Sequence, residues 1–193
     1  MIRRRHVAAA AVGLGLATLG ALGGLVGGAG QAARADDGPA SEFAPIYRVL
    51  ESPRCQNCHP SGDAPHIGDH GERHRMNVSR RSPEAGLPCS TCHRSRNAAF
   101  DHGPPGVRGW AMPPAEHPMP FEQRSAHEVC EQLKDPRRNG GKSLADLHAH
   151  FARDPVVLWG WDPGPGRTLP PISHAELVQH VEQWIAKGAP CPP

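Results

Sequence analysis

CQNCH occupies residues 55–59 and CSTCH repeats its spacing at residues 89–93; these are the first and second motifs. Each motif places two cysteines three positions apart and a histidine directly after the second cysteine. Three kinds of site use paired cysteines in this way: a four-thiolate zinc site, a dithiol redox centre and a c-type haem attachment. The fold of the chain depends on which of the three applies.

A c-type haem is the interpretation that uses every residue of both motifs. Four-thiolate zinc needs no histidine after each pair. The N-terminus, described next, predicts export, and an exported thiolate site would face an oxidising compartment. A dithiol oxidoreductase usually places one CxxC beside a βαβ unit, and no such pattern is visible here. In a haem attachment the cysteines form thioethers and the histidine is the proximal iron ligand. We therefore expect two covalent haem c groups, on Cys55, Cys58 and His59 and on Cys89, Cys92 and His93.

The N-terminus has the pattern of a secretory signal. Three arginines at residues 3–5 precede an apolar stretch rich in Ala, Gly and Leu, and Ala33-Arg34-Ala35 provides a small-x-small cleavage site. We predict a signal peptide at residues 1–35, a di-haem cytochrome c domain at residues 36–193, and a periplasmic location. An uncleaved N-terminus acting as a membrane anchor is the alternative.

Composition excludes a nucleic-acid role and indicates a weak apolar core. The whole chain has 21 basic and 19 acidic residues, but four arginines lie in the predicted signal, which leaves a mature charge of about −2. No basic stripe with interleaved aromatic residues remains. The chain has 22 Gly, 22 Pro, four Phe, one Tyr and four Trp. So few large apolar side chains suggest that bound haem supplies buried area.

Sequence patterns predict a mainly α fold, with small c-type cytochrome-like helices and long loops packed around two haems. The predicted helices begin near Ser41, Ser125, Ser143 and Ser173. Ser125 and Ser173 each stand three residues before a glutamate, as in a capping box, and an apolar stripe with helical spacing follows Ser41 and Ser143. Prolines at 136 and 155 end the second and third helices. No alternating run is long enough to predict a sheet. Residues 159–167, WGWDPGPGR, fit either a packed turn or a contact with a cofactor edge or partner.

The sequence limits the candidates for the second axial ligand of each iron but does not select one. For the first haem we favour His74, from a set that also contains His66, His70 and Met76. For the second haem we favour Met119, from a set that also contains Met112 and His117. Methionine at this position raises the reduction potential and a second histidine lowers it. His148 and His150 on the third predicted helix are held in reserve.

Two cysteines remain after the haems are attached, Cys130 and Cys191. Exported chains with two spare cysteines commonly pair them. We expect a disulfide that joins the second predicted helix to the C-terminal tail; two unlinked thiols are the alternative.

Residues 130–167, CEQLKDPRRNGGKSLADLHAHFARDPVVLWGWDPGPGR, resemble a family of small exported haem proteins described as isoquinoline 1-oxidoreductase subunits. The resemblance extends through CQNCHPSGD, HRMNV and CSTCH to the final WIAKGAPC. It implies a di-haem c-type cytochrome associated with periplasmic molybdenum hydroxylases, which oxidise N-heterocycles or aldehydes. It also implies that the family's methionine ligand falls on Met119, with Phe121 in place of a tryptophan.

These observations together predict an electron-transfer protein rather than an enzyme. We expect it to take electrons from a molybdenum hydroxylase-type dehydrogenase and to pass them to a downstream acceptor of the respiratory chain. The first alternative is a peroxidase-like haem enzyme with one open iron, which would need a positioned acid or base beside it. The second is an assembly subunit with structural haems.

Overall fold

The computed structural model describes residues 39–193, with side chains from residue 42 onward. The predicted signal peptide at residues 1–35 lies outside the described residues. Within the described part, no helix has the length and apolar character that crossing a membrane requires.

Helices are the main regular structure of the described residues and strands are few, in agreement with the mainly α prediction. In chain order they are α1 Pro39–Leu50, α2 Pro53–Gln56, α3 Ala126–Lys134, α4 Leu144–Arg153, α5 Pro155–Trp159 and α6 His174–Ala186. The serines at which α3, α4 and α6 were predicted to begin each accept a hydrogen bond from the backbone N–H three residues on. The carboxylate of the acid at that position accepts in turn from the backbone N–H of the serine, as a capping box requires. Local chemistry therefore sets these three starts.

The two short helices were not predicted, and both begin at a proline. Pro53 opens α2 and Pro155 opens α5, where the missing N–H of proline costs no intrahelical bond. Asp154 caps α5 by accepting from the backbone N–H of Val156 at 2.8 Å. Pro155 therefore both ends α4 and starts the next helix.

The hydrophobic core lies among the long helices. Helix α1 packs against α3 and α6, and α4 packs against α5 and α6. Phe43 of α1 and Trp184 of α6 are fully buried, with ring centres 5.4 Å apart. Met119 and Phe121, from the loop before α3, join this core.

Residues 61–118 have a different character, because no hydrophobic side chain among them is buried. Their only buried positions are Arg80, Gly103 and Gly106. Regular structure is limited to a hairpin of β1 His66–Ile67 with β2 Glu72–Arg73, which the sequence did not predict, and to one-turn 3-10 helices at Arg75–Asn77 and Cys89–Thr91. The whole second motif lies in this segment.

Arg80 holds the segment together by polar contacts. Its side chain is 1% exposed and pairs with Asp63 at 3.0 Å. It also donates to the carbonyl oxygens of Gly62 and Pro113, each at 2.9 Å. The loop after the first motif is thus joined to the loop before α3 by one guanidinium group, without apolar packing.

The expected disulfide is present: Cys130 of α3 is bonded to Cys191, with 5.6 Å between their Cα atoms. It closes a loop with a sequence separation of 61 that contains α4, α5 and α6. The C-terminal tail is thereby fixed to the helical core.

Reducing this disulfide should lower the free energy of unfolding by about 3–4 kcal/mol, because a loop of this length gains much entropy in the unfolded chain. Urea titrations with and without a thiol reductant would measure the change. The double variant Cys130→Ala/Cys191→Ala is the control, since its unfolding should not respond to reductant. A change below about 0.5 kcal/mol in the unmodified chain would contradict the expectation.

Candidate functional site

The first motif lies at the end of α2 and in the turn that follows it. Cys55 is inside the helix, while Cys58 and His59 come after it, and the backbone N–H of His59 donates to the carbonyl of Cys55 at 3.1 Å. This turn brings the two cysteines and the histidine to one side of the chain. Both thiols are half-buried.

The ring of His59 is fixed from two directions. Its Nδ1 lies 2.7 Å from the carbonyl oxygen of Met119, which can only accept, so Nδ1 carries the proton. The ring stacks on Phe121 with centres 4.0 Å apart and planes 13° apart. Burial lowers the pKa of His59 to about 4, so the ring is neutral at physiological pH. Its Nε2 therefore offers a lone pair suited to a metal.

The second motif repeats this arrangement on unrelated flanking sequence. Cys89 begins a 3-10 turn, and the backbone N–H of His93 donates to its carbonyl at 3.0 Å. His93 Nδ1 donates to the carbonyl oxygen of Pro105 at 2.8 Å. The ring stacks on Trp110, with centres 4.9 Å and planes 11° apart. Burial is the main cause of a lowered pKa at His93 as well.

Aromatic and polar contacts join the two motifs. The rings of Trp110 and Trp159 pack edge to face, with centres 4.7 Å apart. The guanidinium carbon of Arg54, next to Cys55, lies 5.8 Å from the Trp159 ring centre. The Trp159 indole N–H donates to Asn97 at 2.8 Å. Trp159 is 7% exposed and packs against Trp110, the ring that stacks on His93. Further along the WGWDPGPGR segment, Pro165 and Gly166 are exposed.

The thiols of the first motif are neutral. Burial raises the pKa of Cys55 to about 11. Burial is also the main cause of a raised pKa at Cys58, about 12. A dithiol redox centre needs a lowered thiol pKa, so these values do not match one. Among residues 39–193, moreover, His, Cys, Asp and Glu side chains nowhere gather in a cluster of three or more that could hold a metal ion.

His74 lies beside the second motif, although the sequence placed it with the first haem. Its ring centre is 6.0 Å from that of His93, with planes 56° apart. The other candidates of this group point elsewhere. Met76 is 85% exposed, His70 is exposed, and His66 faces Glu122 with 3.6 Å between Nδ1 and Oε1.

Met119 lies with the first motif, although the sequence assigned it to the second haem. Its carbonyl accepts from His59, and its side chain is 9% exposed within the helical core. Met112 and His117 are half-buried, and Nδ1 of His117 is buried without a hydrogen-bond partner. Met119 thus stands on the side of the first motif that already holds His59 in place.

The two reserve histidines of α4 differ in their polar contacts. His150 Nδ1 lies 3.1 Å from Asp154 Oδ2, which leaves its Nε2 free. His148 Nε2 is buried without a partner.

The residues present fit a haem at each motif. Each motif offers two thiols without a disulfide partner and a neutral histidine whose Nδ1 is held by a carbonyl. Such a hydrogen bond to the outer nitrogen fixes the tautomer of a metal-binding histidine. Residues 61–118 also lack a buried apolar core of their own, which a large planar apolar group would provide.

Sequence reasoning missed the groups that hold the two histidines. Phe121 and Trp110 stack on the rings, and the carbonyls of Met119 and Pro105 accept from them. Long-range loop folding makes all four contacts. One weak signal was present: each of these loops combines prolines with an aromatic residue.

Comparisons of the chain with protein-family models, with curated proteins and with solved structures found no match.

Proposed function

We propose that this protein is a periplasmic di-haem c-type cytochrome that transfers electrons. The observation that carries the proposal is the repeated arrangement of His59 and His93. In two unrelated sequence contexts, a CxxCH histidine donates Nδ1–H to a carbonyl and stacks on an aromatic ring. Both histidines are thus left with an unprotonated Nε2, the atom that a proximal ligand uses.

Each residue of the motifs has a role in this proposal. Cys55 and Cys58 hold one haem by thioether bonds, and Cys89 and Cys92 hold the other. The carbonyls of Met119 and Pro105 keep the histidines in one tautomer and make Nε2 more basic. Haem supplies a one-electron iron centre whose potential depends on its axial ligands and surroundings.

Burial of the proximal histidines supports a role in electron transfer. Stacked aromatic rings and fixed carbonyls limit movement at His59 and His93, so neither histidine needs to reorganise when charge changes at its iron. Direct contacts link the two motifs: Trp110 stacks on His93 and packs against Trp159, and the Trp159 ring centre lies 5.8 Å from the guanidinium group of Arg54, next to Cys55. We further propose a molybdenum hydroxylase-type dehydrogenase as donor and a respiratory-chain component as acceptor, on the sequence resemblance alone.

Absorption and low-temperature EPR spectra of the exported protein, oxidised and reduced, test this function. Both haems should be six-coordinate and low-spin, and carbon monoxide should leave the reduced spectrum unchanged. A high-spin haem that binds carbon monoxide in the unmodified protein would contradict simple electron transfer. It would favour the peroxidase-like alternative.

A further inference from the structure

The loop after the first motif reaches across to the second. Its hairpin is anchored to the first motif by Asn57, a spacer residue of CQNCH. The Asn57 side-chain amide donates to the backbone carbonyl of Gly68 at 2.9 Å, and the backbone carbonyl of Asn57 accepts from the backbone N–H of His66 at 2.9 Å. The chain then places His74 beside His93, where the backbone N–H of His74 donates to Pro65 at 2.9 Å.

We propose that His74 is the distal axial ligand of the haem on the second motif, so that one iron lies between His74 and His93. This assignment rests on the proposed function. It replaces the sequence expectation that His74 serves the first haem and Met119 the second. Each centre would then depend on the loop that carries the other.

The distance between the two rings fits two ligands of one iron. An imidazole nitrogen binds a first-row metal at about 2.0–2.1 Å, and the ring centre lies about 1.1 Å behind the nitrogen. Two imidazoles on opposite sides of one ion therefore have ring centres about 6.2 Å apart. The observed separation between His74 and His93 is 6.0 Å.

The protonation of the two rings also fits. His74 Nδ1 lies 2.6 Å from the carbonyl oxygen of Arg75, and His93 Nδ1 lies 2.8 Å from that of Pro105. Carbonyl oxygens only accept, so both protons are on Nδ1 and both Nε2 atoms have free lone pairs. With both protons on Nδ1, neither Nε2 can donate to the other ring, so a hydrogen bond between the rings does not explain their approach.

The test uses the exported di-haem protein with His74→Gly. We expect one of the two low-spin ferric signals to become high-spin and one haem per protein to bind carbon monoxide when reduced. Added imidazole should restore the low-spin signal, because it can occupy the space that the side chain leaves. Glu72→Ala, in the same hairpin, and His180→Ala, on α6, are the controls and should leave both haems low-spin.

Two further variants identify which haem has changed. Trp110→Phe alters the ring stacked on His93, and Phe121→Leu alters the ring stacked on His59. In a redox titration each variant should shift mainly one of two waves, and His74→Met should shift the wave that Trp110→Phe shifts.

The outcomes separate this assignment from the function on which it rests. If His74→Gly leaves both haems low-spin and inert to carbon monoxide, the assignment is overturned and the di-haem proposal stands. A shift in the wave that Phe121→Leu marks overturns it as well and returns His74 to the first haem. An intact mass without two haem groups overturns the proposed function, and the assignment with it.

Discussion

Replacing Cys89 and Cys92 with serine is expected to leave one haem on the protein and to open residues 61–118 while the helical core stays folded. Serine cannot form the thioether bonds, so the second haem should be lost. Residues 61–118 bury no hydrophobic side chain, whereas α1, α3, α4 and α6 share a core fixed by the Cys130–Cys191 disulfide. The two regions should therefore respond differently.

Limited proteolysis followed by mass spectrometry would measure this difference. Cleavage within residues 61–118 should become at least about tenfold faster, which corresponds to about 1.4 kcal/mol of local stability. Helical content by circular dichroism should change little. Ser90→Ala, at an exposed spacer position of the same motif, is the matched control. If residues 61–118 were cleaved at the same rate in the double variant as in the unmodified protein, the segment would fold without the second haem.

Of the substitutions that add one methyl group to the loop holding His93, Gly106→Ala should destabilise the protein most. A Cβ at residue 106 would lie 2.5 Å from the carbonyl oxygen of Arg94 and closer still to that of Arg96. Both oxygens are backbone atoms of the stretch that follows the second motif, so rotating a side chain cannot relieve the clash. The loop must move, and with it the neighbouring Pro105 carbonyl that accepts from His93. We expect a loss of about 3 kcal/mol in the free energy of unfolding.

Gly62→Ala provides the comparison for this substitution. Nothing lies within 4 Å of a Cβ at residue 62, and its backbone has no positive φ. Gly62→Ala should change the free energy of unfolding by less than about 0.5 kcal/mol. Chemical denaturation of both variants, followed at the Soret band and by circular dichroism, would compare them. Equal stability of the two variants would contradict the close packing described around Gly106.

The sequence predicted the long helices well because their signals are local. A serine and an acid three residues later form a capping box wherever the flanking chain permits, as at Ser125, Ser143 and Ser173. Helices α2 and α5 were missed because each has only about one turn, too short for an apolar stripe to be visible.

Placement of the distal candidates could not be predicted in the same way. His74 follows the first motif in sequence but lies beside His93, because the hairpin anchored by Asn57 directs the chain there. Met119 precedes α3 and packs into the helical core, which brings its carbonyl to His59. Both outcomes depend on contacts between residues far apart in the chain, for which residue spacing carries no signal.

The two motifs belong to different parts of the fold. The first motif is attached to a helical core with its own apolar packing, while the second lies among loops held by Arg80, Asn97 and glycine turns. This difference explains why we expect loss of the second haem to have mainly local effects. It also predicts that the helical core unfolds last.

Intact mass spectrometry of the purified protein under denaturing conditions tests the central claim most directly. Two covalently bound haems predict a mass that exceeds the polypeptide by two haem groups and that persists after denaturation. Each Cys→Ser pair should remove one of the two. A mass equal to the polypeptide alone, or haem that separates on denaturation, would contradict covalent attachment at both motifs.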